Sequence, residues 1–422
     1  MGKKEFINVN IVTIFILGRD SMEILIKGGK LIDCNKSTRG DIYIKNEKIE
    51  AIGSNLNYNC KTIKAEGLVV LPAFIDMHAH FRDPGYTYKE DIYTGSLAAL
   101  KGGYTLVNLM GNTNPVCSSM DTVEYILEKS KKIDLIDIHQ TVSITGNFDG
   151  KNIDHIDNLD NRVKVLSDDG KGVLSNNTMY RAMIKAKEKD LIILSHAEDE
   201  YLTLIDNRLS ENIMTLRDIY LSKVTGAKLH IAHVSTKEAM EEIIKAKREK
   251  FNITCEVTPH HIALHDYDYK VNPPIRKKED TKALIKAIQE GFVDVISTDH
   301  APHTEKDKEK GACGISGIET AFSICYTILV KKGYISLNKL SQLMSANPSR
   351  LMKSNKGKID IGYDGDLVLV DLNNKVRVNS KNFISKGKNT PFYGKEYLGE
   401  IIATIKSGEI KYSNGGIEID NR

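Results

Sequence analysis

Histidines and aspartates of this 422-residue chain stand at the ends of short apolar runs. His78 and His80 close the first of these runs as an H-x-H pair beside Asp76. Alternate residues of a strand point to the same face, so both imidazoles can reach one ion. A lone histidine at a strand end is more often structural, but this pairing favours metal ligation.

Later apolar runs end in further ionisable residues, which are Asp168 and Asp169, His196, His233 and Asp299. Each alone has an ordinary explanation, because Asp-Asp-Gly is typical of turns and Thr-Asp-His of caps. Imidazoles and carboxylates without cysteine suit a catalytic zinc site, although manganese, iron or cobalt could occupy it. A catalytic zinc takes about three protein ligands, so this larger set predicts two metals that share a carboxylate and a hydroxide.

The runs that carry these residues alternate with helical stretches between Leu71 and Lys353. Eight of them have strand character: LVVLPAFIDMHAH, TLVNLMG, DIHQTVSITG, RVKVLSDDG, LIILSHAED, LHIAHVST, ITCEVTPHH and VDVISTDHAPH. This α/β pattern predicts a closed (β/α)₈ barrel of the TIM type, with its active site at the carboxyl ends of the strands. An open doubly wound sheet is the alternative, but no G-x-G-x-x-G follows the first strand.

Both flanks of the barrel region have a different residue pattern from the barrel itself. Short β-rich runs joined by Gly, Asn and Asp turns fill 22–71 and 356–422, and their period of two indicates antiparallel strands. Met22 opens a clean strand pattern, so 1–21 is predicted to be an N-terminal extension or the product of an overcalled start. The barrel itself is predicted at 72–355.

Composition excludes several classes of protein. Lys+Arg 59 against Asp+Glu 56 gives a net charge of +3, and no tryptophan is present, so we expect no nucleic-acid partner. The apolar run at 7–17 is too short to cross a bilayer, and we expect no membrane association. Six scattered cysteines without a C-x-x-C pair predict free thiols and a cytoplasmic location.

Several motifs, in this order, closely resemble the dihydroorotase family of the amidohydrolase superfamily of metal-dependent (β/α)₈ barrels. They are DMHAHFRDPG at 76–85, GNTNP at 111–115, SDDG at 167–170, SHAED at 195–199, AHVS at 232–235, VNPPIR at 271–276 and TDHAPH at 298–303. H-x-H alone would mark only the superfamily, whereas HFRDPG with NTNP and DHAPH is narrower. The resemblance runs from about residue 22 to the end, and it implies that both flanks form one small composite β-sandwich domain.

The resemblance also implies roles for the six candidate ligands. His78 and His80 would hold the first of two zinc ions, His196 and His233 the second, Asp169 would bridge them and Asp299 would ligate the first. Asp168 is the rival for the bridge. Asp299 would double as the general acid/base that moves the proton between the attacking hydroxide and the departing amide nitrogen.

The reaction implied by the resemblance is the reversible cyclisation of N-carbamoyl-L-aspartate to L-dihydroorotate, a step of de novo pyrimidine (UMP) synthesis. An acidic substrate needs a cation with fork geometry, which Arg82 can supply. The expected substrate contacts are His80, Arg82, Asn112, Asn272, His303, Cys313 and Gly314. Many relatives carry an aromatic residue where Cys313 stands, so at this corner the Gly314 N–H is the expected contact.

Other members of the superfamily and a non-catalytic role are the alternatives to this function. Dihydropyrimidinase, hydantoinase and allantoinase share this architecture but bridge their metals with a carboxylated lysine, for which only Lys164 and Lys171 are near Asp169. A non-catalytic partner of aspartate transcarbamoylase would be expected to have lost ligands. A homodimer is common among relatives, and association with that transcarbamoylase is an additional expectation.

Two further segments near the motifs, 260–261 and 304–312, carry ionisable residues. His260 and His261 end the seventh run, and we expect them to support the ligands rather than to bind metal. The charged run at 304–310 is predicted to be a solvated loop, with a mobile lid over 304–312 as the alternative.

Overall fold

The computed structural model describes residues 23–420. The predicted extension at 1–21 and the alternative start at Met22 lie outside the described residues. Within 23–420, no helix is both long enough and apolar enough to cross a membrane. All six cysteines lie in this range, and none is paired in a disulfide.

Strands and helices alternate through the middle of the described chain, whereas strands alone dominate both ends. The strands are β1 Glu23–Ile32, β2 Ser37–Lys45, β3 Lys48–Gly53, β4 Lys61–Lys64, β5 Val69–Pro72, β6 Phe74–Ala79, β7 Tyr104–Leu109, β8 Asp137–Gln140, β9 Val165–Leu166, β10 Ile192–Ser195, β11 Lys228–Ile231, β12 Ile253–Val257, β13 Val295–Ile296, β14 Leu367–Arg377, β15 Glu396–Lys406, β16 Glu409–Ser413 and β17 Glu418–Asp420. The α-helices are α1 Ile92–Lys101, α2 Met120–Ile133, α3 Asn176–Glu188, α4 Glu200–Thr203, α5 Asn207–Thr225, α6 Lys237–Arg248, α7 Pro259–Ala263, α8 Lys278–Glu290, α9 Glu305–Glu309, α10 Ala321–Cys325, α11 Leu337–Ser341 and α12 Asn347–Leu351. Short 3₁₀ turns occur at Gly146–Phe148, Asp154–Asn158 and Ser380–Asn382, and π-helical turns at Tyr326–Val330 and Gln342–Ala346.

Strands β6 to β13 lie side by side in chain order and run parallel. Pairing continues from β8 to β9 through Val142 and Leu166, and from β13 to β6 through His300 and Ala79. Across the second junction the His80 N–H donates to the His300 carbonyl at 2.8 Å. The strands therefore close into a ring, and the predicted (β/α)₈ barrel is confirmed.

The remaining strands come from both chain ends and form one nine-stranded sheet. β5 pairs antiparallel with β14, and Pro72 lies opposite Leu367. The sheet wraps around an apolar cluster of its own, in which Ile26, Ile63 and Ile405 are fully buried. A small β-domain built from both ends of the chain thus accompanies the barrel, as the predicted fold class requires.

Two ladders in this sheet differ from the antiparallel pairing expected from the period of two. β1 runs parallel to β4, with Ile24 opposite Lys61, and parallel to β5, with Lys30 opposite Val69. The turn from β1 to β2 and the turn from β2 to β3 each reverse the chain, so β3 runs in the direction of β1. The chain then crosses to the other edge of β1 and keeps that direction in β4 and β5. The run LVVLPAFIDMHAH likewise divides into β5 in the sheet and β6 in the barrel.

Helix α6 illustrates how local sequence sets the outer ring of the barrel. Thr236 caps its first turn by accepting a hydrogen bond from the Ala239 N–H. Met240 and Ile243 are buried on the inner face, and the last turn is basic, as the helix dipole favours. The outer face carries charged residues, which is the usual pattern for a surface helix.

The prediction of a loop at 304–310 is wrong, because helix α9 occupies most of this segment. Thr304 and Asp307 form a capping box at its start. Lys308 Nζ donates to the carbonyls of Lys270 at 2.8 Å and Gly314 at 3.1 Å. The capping box of Thr304 and Asp307 is a sequence signal for a helix start, which the high charge of the run led us to overlook. The bonds of Lys308 hold the helix at the rim of the barrel.

A buried ion cluster connects the sheet to the barrel. The Lys356 side chain is only 6% exposed and pairs with Asp366, and its Nζ lies 2.9 Å from Asp137 Oδ2 in β8. Lys406 Nζ in β15 lies 3.2 Å from the other oxygen of Asp137. Burial lowers the pKa of Lys356, but the charges of Asp366 and Asp137 outweigh it and raise the pKa above its usual range.

We expect Lys356→Met to lower the free energy of unfolding by about 3–5 kcal/mol, because Asp366 would be left buried and unpaired. Lys375→Met is the control, since this lysine is 72% exposed and lies 3.7 Å from Glu396. Its loss should cost less than about 1 kcal/mol. Urea titrations followed by circular dichroism measure both values, and equal losses would contradict the assigned role of Lys356.

Candidate active site

The carboxyl ends of the barrel strands surround one cavity of about 320 Å³. Its lining residues are His80, Arg82, Asn112, Asp169, Gly170, His196, His233, Asn272, Asp299, Ala301, His303, Cys313 and Gly314. Every site residue expected from the sequence is on this lining except His78, which is fully buried. The structure therefore brings the predicted set together around a single space.

His78, His80 and Asp299 form the first group of candidate ligands. Asp299 Oδ1 lies 3.2 Å from His80 Nε2 and 3.7 Å from His78 Nε2. Both histidines stand at the end of β6 and Asp299 follows β13, so the pairing of Ala79 with His300 that closes the ring also holds this group together.

Asp169 lies between this group and the second pair of histidines. Its Oδ1 lies 3.2 Å from His78 Nε2, 3.3 Å from His196 Nδ1 and 3.8 Å from His233 Nε2. Its Oδ2 lies 3.5 Å from His80 Nε2. One carboxylate thus faces four imidazoles, which is the position required of a residue that two cations share.

The donor set fits a metal on two observations. His78 Nε2 and Asp169 Oδ1 are buried and make no hydrogen bond of acceptable geometry with described residues. Burial raises the pKa of Asp169, but His78, His196 and His233 outweigh it and hold that pKa well below its usual range. The cluster therefore attracts positive charge and leaves two donor atoms for it.

The adjacent Asp168 faces away from the cluster. Its carboxylate accepts hydrogen bonds from the backbone N–H groups of Ile144 at 2.7 Å and Thr145 at 3.0 Å. Burial raises its pKa to about 6 despite these bonds. Of the two rivals for the bridge, only Asp169 contacts the histidines.

Neither lysine near the bridge lies in the cluster. Lys164 donates to the carbonyl of Asn161 before β9, at the opposite end of the strand from Asp169. Lys171 follows the cluster and is exposed.

The His260 ring is buried beside His261, whose Nε2 lies 3.0 Å from the Pro273 carbonyl oxygen. These two histidines therefore surround the site rather than line it.

Glu256 in β12 is a site residue that sequence reasoning missed. Its Oε1 lies 2.6 Å from His78 Nδ1, and its Oε2 lies 3.3 Å from His230 Nε2. It is fully buried, and His78 and His230 overcome the effect of burial and lower its pKa. A carboxylate inside the apolar run ITCEV was the available signal, since buried charges are paired.

Glu198 plays the same part behind His196. Its Oε2 lies 2.7 Å from His196 Nε2 and accepts a hydrogen bond from Asn272 Nδ2 at 2.8 Å. Thr203 Oγ1 in α4 donates to its other oxygen at 3.0 Å. Burial raises the pKa of Glu198, but the bonds from His196, Asn272 and Thr203 lower it to about 2. His196 is left with Nδ1 facing Asp169.

Arg82 and His303 line one side of the cavity, and Lys89 lies behind His303. Arg82 Nη2 lies 3.3 Å from His303 Nε2, and Lys89 Nζ lies 3.4 Å from His303 Nδ1. Burial and both cations lower the pKa of His303 to about 3, so its imidazole is neutral at physiological pH. Arg82 and Lys89 both only donate, so the neutral imidazole can accept a hydrogen bond from one of them and carries its proton on the other nitrogen. Sequence reasoning missed Lys89.

Two expected substrate contacts have other partners in the structure. Asn112 Oδ1 lies 2.8 Å from His80 Nδ1, so this side chain also orients His80. The Gly314 N–H donates to the Lys270 carbonyl at 3.1 Å. This N–H is therefore already used by the rim segment to fix its own path, although Gly314 lines the cavity as predicted.

Three site residues have left-handed backbone conformations that side chains disfavour. The φ angles are 59° at Arg82, 31° at His233 and 48° at Asp299. Such conformations persist only where the surrounding structure enforces them, and they cluster at functional sites.

Fold and site together define a barrel enzyme with a His/Asp cluster suited to metal ions. Residues 69–411 match the model of the amidohydrolase family. A dihydroorotase of Clostridium botulinum (strain Eklund 17B / Type B) is 55% identical over 396 residues, which are 93% of this chain and 100% of that protein. The chain therefore belongs to the amidohydrolase family, in its dihydroorotase branch.

Further relatives agree with this placement. A dihydroorotase of Lactobacillus gasseri is 39% identical over 427 residues, covering 93% of this chain and 100% of that one. Among solved structures, a dihydropyrimidinase from Brevibacillus agri NCHU1002 superposes with a TM-score of 0.85 at 25% identity, covering 93% of this chain and 95% of that one. The resemblance and the hydrolase class predicted from the motifs are confirmed.

We expect Glu256→Gln to weaken zinc binding about 10- to 100-fold, because the neutral amide no longer polarises His78. Asp294→Asn is the matched control. This carboxylate lies just before β13, at the opposite end of the barrel, and accepts from the Cys255 N–H at 2.8 Å. Competition with a chromophoric chelator measures both affinities, and an unchanged affinity for Glu256→Gln would exclude the role assigned to this residue.

Proposed function

We propose that the protein catalyses the reversible cyclisation of N-carbamoyl-L-aspartate to L-dihydroorotate with loss of water. The observation that carries the proposal is the presence, in one cavity, of the His/Asp cluster and the pocket of Arg82 and His303. The first suits hydrolysis of an amide, and the second suits a carboxylate on the same small molecule. The dihydroorotase relatives support the same reaction.

The cofactor we propose is zinc, with two ions in each chain. One would be held by His78, His80, Asp169 and Asp299, and the other by Asp169, His196 and His233. Imidazole and carboxylate donors without cysteine support this choice. The chemistry that these ions supply when bound is activation of water and polarisation of the amide carbonyl.

The substrate carboxylate would bind to Arg82 and His303. A guanidinium matches a carboxylate with two parallel N–H donors, and the neutral His303 would offer its one ring N–H as a further donor. Asn112 and Asn272 line the same cavity and would hydrogen-bond the ring or ureido edge. Cys313 also lines the cavity and would contact the substrate there.

Asp299 would move the proton. In ring opening it accepts a proton from the attacking water, the ring C–N bond breaks, and the proton passes to the nitrogen, which becomes the ureido NH₂. In cyclisation the same steps run backwards, and water leaves. Burial raises the pKa of Asp299, but His80 and His78 outweigh it and lower the pKa below its usual range, so the group is ionised and able to accept.

Two rival functions are less well supported. Hydantoins and dihydropyrimidines without a carboxylate offer no partner for the half-buried Arg82, and neither Lys164 nor Lys171 lies at the bridge. A purely structural partner of aspartate transcarbamoylase would not need the complete ligand set.

We place the reaction in pyrimidine synthesis. We propose that the protein works in the cytoplasm, where unpaired cysteines are expected, and that it forms a homodimer that can associate with aspartate transcarbamoylase.

We expect Asp299→Ala to lower kcat for L-dihydroorotate at least about 100-fold, since the acid/base group is lost. Ring opening is measured by the loss of the ultraviolet absorbance of L-dihydroorotate, and the zinc content is determined on the same samples. Asp268→Ala removes an exposed carboxylate and should leave kcat unchanged. Turnover of dihydrouracil or allantoin in place of dihydroorotate by the parent enzyme would contradict the proposed substrate.

The KM for L-dihydroorotate should show no step near pH 6.5. The lowered pKa of His303, about 3, means that its imidazole stays neutral from pH 5 upwards and gains charge only in strong acid. His303→Asn should raise KM while the profile keeps its shape. Initial rates in buffers of constant ionic strength test this, and a KM that falls below pH 6.5 in the parent but not in His303→Asn would show a charged histidine.

A further inference from the structure

A segment from outside the barrel reaches the rim of the active-site cavity. Residues 385–389 lie between β14 and β15, in the part of the chain that otherwise builds the small β-domain. Asn389 bonds the rim at His303, and Ser385 bonds Glu90 on the other side. We call residues 385–389 the strap. None of the motifs that predicted the site includes it.

Asn389 joins the two chain segments that form the rim beside His303. Its Oδ1 accepts hydrogen bonds from the His303 N–H at 2.9 Å and from Ser316 Oγ at 2.8 Å. Its Nδ2 donates to the carbonyls of Gly314 at 2.9 Å and Ala301 at 3.1 Å. The backbone carbonyl of Asn389 also accepts from the Ser316 N–H at 2.8 Å. An amide suits this place because it offers an acceptor and two donors on one flat group.

Gly387 allows the strap to lie directly against the same rim. A Cβ atom at this position would lie 2.5 Å from Pro302 Cβ and 2.6 Å from Ser316 Oγ, closer than such atoms approach each other. Gly387 is buried, whereas Lys386 and Lys388 on either side of it are exposed. A side chain at this position would therefore push the strap away from the rim.

The other end of the strap is anchored to the segment that carries Lys89. Ser385 Oγ donates to the carboxylate of Glu90, and both residues are fully buried. A buried carboxylate that loses a partner costs free energy, so this contact is a firm one. Glu90 follows directly after Lys89, whose Nζ lies 3.4 Å from His303 Nδ1. The strap thus connects the two segments from which Lys89 and His303 meet.

We propose that the strap positions the pocket for the substrate carboxylate, and that Asn389 is the positioning residue within it. This inference rests on the proposed function, because it takes the group bound by Arg82 and His303 to be the carboxylate of L-dihydroorotate. Asn389 is not among the described residues that line the cavity, whereas its partners Ala301, His303 and Gly314 are. It therefore acts through the backbone of the rim and not by contact with substrate.

The location of these bonds predicts which kinetic constant depends on Asn389. They hold the side of the cavity that binds the anion, whereas the His/Asp cluster is held by Asp76, Glu256 and Glu198. An interaction that stabilises substrate and transition state equally affects KM and leaves kcat unchanged. Loss of the Asn389 amide should therefore raise KM and spare kcat.

The test compares Asn389→Leu, which removes the hydrogen bonds and keeps a side chain of similar shape, with the zinc-loaded full-length parent. We expect KM for L-dihydroorotate to rise about 10-fold or more, with kcat within about threefold of the parent. The zinc content should equal that of the parent. Gly387→Ala should also raise KM, because it displaces the strap without touching the amide.

Asn338→Leu is the matched control. Asn338 Nδ2 also joins two chain segments, through the carbonyls of Asp33 at 2.6 Å and Lys36 at 2.7 Å, and this residue is half-buried like Asn389. Its loss should lower the melting temperature and leave KM unchanged. The pair separates positioning of the carboxylate pocket from a general loss of stability.

Hydrogen–deuterium exchange measures the positioning without turnover. Peptides covering 300–316 should exchange faster in Asn389→Leu than in the parent, while peptides covering 192–196 and 228–233 keep the parent rates. A parent that does not open L-dihydroorotate would contradict the proposed function, and the exchange data would still test the strap. An unchanged KM in active Asn389→Leu, a fall in kcat alone, or parent exchange rates at 300–316 would overturn the inference.

Discussion

Closure of the barrel between its first and last strands is the constraint on which the site depends. Asp76, buried in β6, accepts hydrogen bonds from the His78 N–H at 3.1 Å and from the Thr298 N–H at 3.1 Å. One carboxylate thereby fixes the segment that carries two histidines against the segment that carries Asp299. Residues more than two hundred positions apart in the chain are in contact because the hydrogen bonds of Asp76 hold these two strand ends together.

Carboxylates behind the imidazoles complete this design. Glu256 faces Nδ1 of His78, and Glu198 faces Nε2 of His196, so in each ring one nitrogen is committed and the other is directed towards Asp169. Such partners fix the orientation of a histidine and increase its basicity. The cluster is therefore organised by the fold itself, with its donor atoms already aimed at a common space.

The two sides of the cavity have electrostatic potentials of opposite sign. Asp169 and Asp299 with their histidines attract cations, whereas Arg82 and Lys89 around His303 attract an anion. Opposite fields within a cavity of about 320 Å³ orient a small molecule that combines a carboxylate with a polarisable amide. The left-handed backbone at Arg82 and Asp299 shows that the fold enforces both sides.

The sequence by itself determined the barrel, its eight strands and the residues that gather at their carboxyl ends, because alternation of strand and helix and the spacing of His78 and His80 are local properties. It could not distinguish Asp168 from Asp169, foresee Glu256 and Lys89, or give the direction of β4 and β5 beside β1. Those depend on which side chains meet across strands distant in the chain. Only tertiary structure decides such contacts, since a residue type states what it can bind but not what lies within reach.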